Sequence, residues 1–132
     1  MAAKKDKKYL CISEHATGFT QGDKKKWDYA RFGVGKKYIL RQIKKFETGY
    51  REKQATFGLY NFDSNHPLYR CEDNNVGTYL CFFNGSKHLG TFNFSPSSGR
   101  FLKTYNSGYW VSEDHPYYKD TPIISIGVCA EL

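Results

Sequence analysis

A chain of 132 residues with a formal net charge of +7 has the length of one domain. It can bury about two-thirds of the surface its unfolded chain exposes, so it needs neither a metal nor a cross-link merely to fold. Its 11 Tyr and 10 Phe suit half-buried strand positions and disfavour a helix bundle. No stretch approaches the ~18 apolar residues of a spanning helix, and the charged opening Met1–Lys8 has no apolar run of a signal peptide behind it. With Met1 as the native start the expectation is a cytoplasmic protein; with a signal removed ahead of it, a periplasmic or secreted one.

Along the chain, short apolar or alternating runs are separated by turn chemistry, which predicts strands. Residues 1–8 read as a charged lead-in and 9–132 as one β domain. Lys8–Ser13 is a first strand. Thr17 to Lys26, with Gly18, Gly22 and Asp23, reads as a polar loop. Trp27–Val34 is extended, with Trp27, Tyr29 and Arg31 on one face and Asp28, Ala30 and Phe32 on the other. Tyr38–Ile43 reads as a strand, with a helix as the alternative because Ile39, Ile43 and Phe46 also fit helical spacing. Lys44–Lys53 is a charged loop, Gln54–Tyr60 a strand and Asn61–Pro67 irregular. Tyr79–Phe83 and Leu89–Phe94 flank Asn84-Gly85, a strong hairpin signal because both residues tolerate positive φ. After the Ser95–Gly99 turn come Arg100–Tyr105, a short Gly108–Val111 piece, a polar loop over Ser112–Asp120, and a closing strand over Thr121–Cys129. Eight to ten short strands with this turn spacing predict a single compact antiparallel β-barrel or β-sandwich, an all-β fold.

Cys11, Cys71, Cys81 and Cys129 allow three pairings. Cys11 and Cys129 fall in the first and last strands, which lie side by side when a barrel closes, and Cys71 and Cys81 flank one loop. The preferred connectivity is therefore 11–129 and 71–81; four buried free thiols are the alternative. No Cys-x-x-Cys occurs, and a zinc site is not expected.

Catalytic motifs are missing. His15, His66, His88 and His115 form no H-x-x-x-H or H-E-x-x-H pattern, and each falls in a loop or near a strand end. Gly33-Val34-Gly35-Lys36 lacks the second half of a phosphate loop and its helix, so it reads as a turn. No two carboxylates stand out as acid and base. Asn84-Gly85-Ser86 and Asn93-Phe94-Ser95 fit the glycosylation sequon but read as turn residues. The expectation is a protein that is not an enzyme and uses no cofactor or metal.

Charge is the more informative signal. Residues 1–53 hold 15 of the 20 Lys and Arg but 6 of the 13 acids, a net of +9, whereas residues 54–132 carry a net of −2. Such asymmetry points to an acidic partner, against the simpler reading of a lysine-rich solvated face. Lys24, Lys25, Lys26, Lys36, Lys37, Lys44 and Lys45 are the expected contact residues. Lys24–Trp27, Arg31-Phe32 and Lys36–Tyr38 interleave cations with rings, as nucleic-acid grooves do; the competing reading has Trp27, Phe32 and Tyr38 in the core and the lysines outside.

Gly18-Phe19, Trp27, Arg31-Phe32, Tyr38-Ile39, Phe92-x-Phe94, Arg100-Phe101, Gly108-Tyr109 and, most specifically, Asp120-Thr-Pro-Ile-Ile-Ser-Ile-Gly-Val-Cys129 resemble a set of small uncharacterised bacterial proteins. Many members look exported, which the resemblance makes consistent with paired cysteines; the Lys-rich start departs from that pattern. The resemblance implies no activity and no catalytic residues. The leading expectation is therefore a non-catalytic binding protein, of adaptor or inhibitor type, that meets an acidic macromolecule through its basic half. A small-ligand carrier with an aromatic-lined barrel interior and a nucleic-acid-binding protein are the alternatives, and the oligomeric state is left open.

Overall fold

The computed structural model describes residues 7–22, 26–43, 57–72, 77–84 and 86–132. Nine antiparallel strands follow one another: β1 (Tyr9–Gln21), β2 (Trp27–Phe32), β3 (Lys37–Gln42), β4 (Phe57–Asn61), β5 (Pro67–Glu72), β6 (Tyr79–Phe83), β7 (Ser86–Ser95), β8 (Arg100–Tyr105) and β9 (Ile123–Glu131). Their order in the sheet is β2-β1-β3-β4-β5-β6-β7-β8-β9, and β1 also pairs with β9. That last pairing closes β1 and β3–β9 into an eight-stranded barrel and leaves β2 outside the ring. No helix among the described residues is long and apolar enough to cross a membrane.

Alternation with period two sends one side of each strand inward. The inward set is the core: Tyr9, Cys11, Tyr38, Leu40, Phe57, Leu59, Tyr69, Cys71, Tyr79, Cys81, Phe92, Phe94, Phe101 and Cys129. At the lower end, where β1 begins and β9 finishes, rings fill the interior. Tyr9 meets Tyr79 and Phe94 edge-on at 5.6 and 5.0 Å, and Phe57 meets Tyr79 at 5.1 Å. Such pairs add about 0.5–1.5 kcal/mol each beyond their burial. Gly127 lies on the inward face of β9, and a Cβ there would sit 2.6 Å from the Phe101 ring and 2.1 Å from the Ile12 carbonyl oxygen. Only glycine lets Phe101 cross at that point.

Both disulfides have the expected connectivity, Cys11–Cys129 and Cys71–Cys81. Each joins residues directly opposite in register, on β1/β9 and on β5/β6. Of the two all-β architectures expected from turn spacing, a barrel or a sandwich, the fold is the barrel, and Lys37–Gln42 is strand rather than helix.

Three sequence readings are corrected. Thr17–Gln21 is not loop but the second half of β1. Gly18 there serves close strand contact, since a Cβ would lie 2.0 Å from the Pro122 carbonyl oxygen. Pro67–Glu72 is a full strand; Pro67, at its first position, closes the irregular segment and opens the strand, where a missing N–H is tolerated. Gly108–Val111 is a turn, with Gly108 at φ 116°. Gln54–Ala55-Thr56 and the lead-in up to Asp6 lie outside the described residues.

Candidate functional site

At the upper end of the barrel the interior changes character. Ser13 from β1, Tyr38 from β3, Tyr69 from β5, Lys103 and Tyr105 from β8 and Ser125 from β9 all sit on inward positions. The Tyr69 hydroxyl donates to the Thr104 carbonyl at 2.7 Å, and Phe83 packs edge-on to both Tyr69 and Tyr105. Lys103 Nζ lies 5.1 Å from the Tyr38 ring centroid and 5.4 Å from that of Tyr69, within cation–π range of both. Burial pulls its ammonium down to about 8, with the Lys36 charge acting in the same sense. Burial likewise pushes the Tyr38 phenol up, and it raises Tyr105 to about 12, helped by the hydrogen bond Tyr105 gives to Asp120.

Outside this end stands the β1–β2 hairpin. β9 accompanies β1 along nearly all its length, but β3 pairs only with Tyr9–Ile12, and β2 takes over at Ala16–Gln21. The change of partner occurs at a bulge. The register with β9 slips between Ser13 and His15, which inserts Glu14 as the extra residue and strengthens the local twist. The Gly33–Lys36 link is tied to the same point: Gly35 N–H donates to the Ser13 carbonyl at 2.8 Å, Ser13 N–H to the Lys36 carbonyl at 3.0 Å and Lys36 N–H to Ser13 Oγ at 3.1 Å.

One face of this hairpin carries Thr17, Phe19 and Gln21 opposite Arg31, Tyr29 and Trp27. Trp27 is anchored edge-on against Tyr109 and Tyr118, at 5.7 and 6.3 Å. Phe19 and Tyr29, directly paired, remain 54% and 80% exposed. An open groove of about 620 Å³ adjoins them, lined by residues that include His15, Thr17, Arg31, Val34, Ile124 and Ile126.

The predicted contact lysines are only partly brought together. Lys26, Lys36 and Lys37 are exposed; Lys36 and Lys37 flank the upper rim, and Lys37 Nζ stands 5.6 Å from the exposed Phe62 ring. Lys24, Lys25, Lys44 and Lys45 lie outside the described residues. Of the rings interleaved with these lysines, Tyr38 is core while Trp27 and Phe32 are half-buried. All four histidines are exposed, and no group of three His, Cys, Asp or Glu suited to a metal occurs among the described residues. Neither Lys103 nor the Phe19–Tyr29 pair stands out as a contact residue from the sequence patterns above. The signal for Lys103 was present in Arg100–Tyr105, where period two places Lys103 on the same face as Phe101 and Tyr105. The signal for Phe19 was masked by the glycines around it. Comparison with protein-family models, curated proteins and solved structures gives no match to this chain, so the residues themselves carry the functional argument.

Proposed function

We propose that this chain is a non-catalytic binding protein that docks an acidic segment of another protein on the outer face of the β1–β2 hairpin. The observation that carries this reading is the exposed Phe19–Tyr29 pair, one step along the hairpin from an open groove whose lining includes Arg31, with Lys26, Lys36 and Lys37 exposed on the segments that flank β2. Large rings left in water are what protein interfaces use as anchors, and tyrosine and arginine are over-represented among the residues that dominate such contacts. The cations supply the sign of the partner. The 106–122 segment beside Trp27 carries Glu113 and Asp114, so the positive field belongs to the β2–β3 side and gives the docking a direction. Paired cysteines fit a protein working in an oxidising compartment.

Poly-L-glutamate and a single-stranded oligonucleotide are suitable probes. Changing Arg31, Lys36 and Lys37 to Glu should abolish poly-glutamate binding at low salt. Tyr29→Ala should weaken it by about 1–2 kcal/mol, the scale of an interface anchor. Unchanged binding by both variants would overturn the proposal. A steep loss of oligonucleotide affinity with salt, exceeding that for poly-glutamate, would favour nucleic acid as the partner.

A further inference from the structure

A second site lies inside the barrel and does not rest on the hairpin surface. Lys103 is a cation turned into the interior between aromatic walls, and its side chain is half-buried, so solvent still reaches it. The inward positions packed around it are Ser13 from β1, Tyr38 from β3, Tyr69 from β5, Phe92 from β7, Ser125 from β9 and Tyr105 on its own strand; the charge acting on it is that of Lys36. None of these supplies a negative charge. Asp120, behind Tyr105, already accepts the Tyr105 hydroxyl.

Ser125 is the independent observation. It sits directly opposite Lys103 in the β8–β9 register, is 4% exposed, and its hydroxyl finds no hydrogen-bond partner among the described residues. Buried hydroxyls are normally satisfied, and one that is not calls for an explanation. A half-buried ammonium with no counter-charge among the inward positions around it is a second such group, on the adjacent strand.

We propose that the upper end of the barrel interior binds the oxyanion group of a small ligand, a carboxylate or a tetrahedral oxyanion. The Lys103 ammonium supplies the counter-charge and the Ser125 hydroxyl donates to an oxyanion oxygen. The half-buried Phe83 and Tyr105 rings, packed edge-on against each other, offer apolar surface to the ligand's body, and the buried Tyr38 and Tyr69 close the layer behind Lys103. The lower half of the barrel is filled by Tyr9, Phe57, Tyr79 and Phe94, all buried, so the ligand enters from the upper end and stops at the layer of Lys103 and Phe92. A bound oxyanion offsets the desolvation of Lys103 and the push from Lys36. It therefore favours the protonated amine, and affinity falls as pH rises through the range in which the free site loses its proton, near 8.

The test is a pH titration of the Lys103 side-chain methylene resonances by NMR in the full chain, alone and with acetate or sulfate. Either probe should raise the Lys103 midpoint by about one unit, equivalent to a tenfold preference for the protonated site, while exposed Lys36 and Lys37 move less. Acetate acting more strongly identifies a carboxylate ligand, and sulfate a tetrahedral one. A Lys103 midpoint that neither anion moves, or that moves no more than those of Lys36 and Lys37, overturns the proposal. As a second arm, the anion-induced rise in Tm should vanish in Lys103→Met and shrink in Ser125→Ala. Its persistence in Lys103→Met would equally overturn it, and the NMR arm stands if that variant does not fold.

Discussion

At the lower end of the barrel, Tyr9, Phe57, Tyr79 and Phe94 interlock edge to face, and the Cys11–Cys129 bridge ties the first strand to the last. At the upper end the same inward positions carry Ser13, Tyr38, Tyr69, Lys103, Tyr105 and Ser125. There the sheet sheds a strand, and β2 pairs with β1 alone. Both ends obey the same alternation, so the fold does not require the difference. A barrel this size could have been filled with apolar side chains throughout. The lower end is accordingly the apolar part that holds the chain together, and the upper end is where both proposals place recognition.

Cutting the two bridges sharpens the contrast most. Cys11–Cys129 closes a span of 118 residues and Cys71–Cys81 one of 10. In the chain-entropy account their loss costs about 5 and about 3 kcal/mol respectively. Urea denaturation of the two double-alanine variants measures this, with non-reducing peptide maps of the parent confirming the pairs. Equal losses would mean that the closing β1–β9 seam has no special weight.

The pH dependence of stability separates the ends more gently. Lys103 has its folded pKa pulled down to about 8, whereas an unfolded lysine titrates near ~10.4. Below pH 8 both states hold the proton and folding bears the full cost of burying it. Between about pH 8 and 10 the folded state releases that proton first, so stability rises, by about 1–2 kcal/mol after allowing for partial solvent screening. Burial raises the phenols of Tyr38, Tyr69, Tyr79 and Tyr105 above the ordinary 10.0. Their contribution is complete below pH 10 and is lost as the pH climbs above it. Chemical denaturation across this range should show a shallow rise followed by a fall. Lys103→Met should remove the rise and keep the fall; a rise that survives in this variant would assign it to another group.

Much of the lower end was legible in the sequence, for physical reasons. Cysteines on the first and last strands have to meet if a barrel closes, and Tyr79, Cys81 and Phe83 or Phe92 and Phe94 spell out an inward face by alternation. The upper end was harder. Gly18 looks like a turn residue until Pro122, more than a hundred positions away, is seen to press on it. Pro67 hid β5 because it ends the Asn- and Asp-rich segment while beginning a strand. The charge asymmetry is a count over the N-terminal segment, and net charge cannot reveal that an inward-facing cation, Lys103, lies in the half with a net of −2. Exposure of Tyr29 depends on β2 lying outside the closed ring, which is a matter of strand order and not of local pattern.

Recognition at the upper end, as proposed, is tested by backbone chemical-shift mapping of the full chain titrated with poly-L-glutamate at low salt. Shifts should concentrate on Phe19, Trp27–Arg31 and Lys36–Lys37, with Glu72, Gly99 and Glu131 at the lower end unmoved. Shifts clustered at the lower end, or spread evenly over exposed lysines without involving Phe19 and Tyr29, would contradict it.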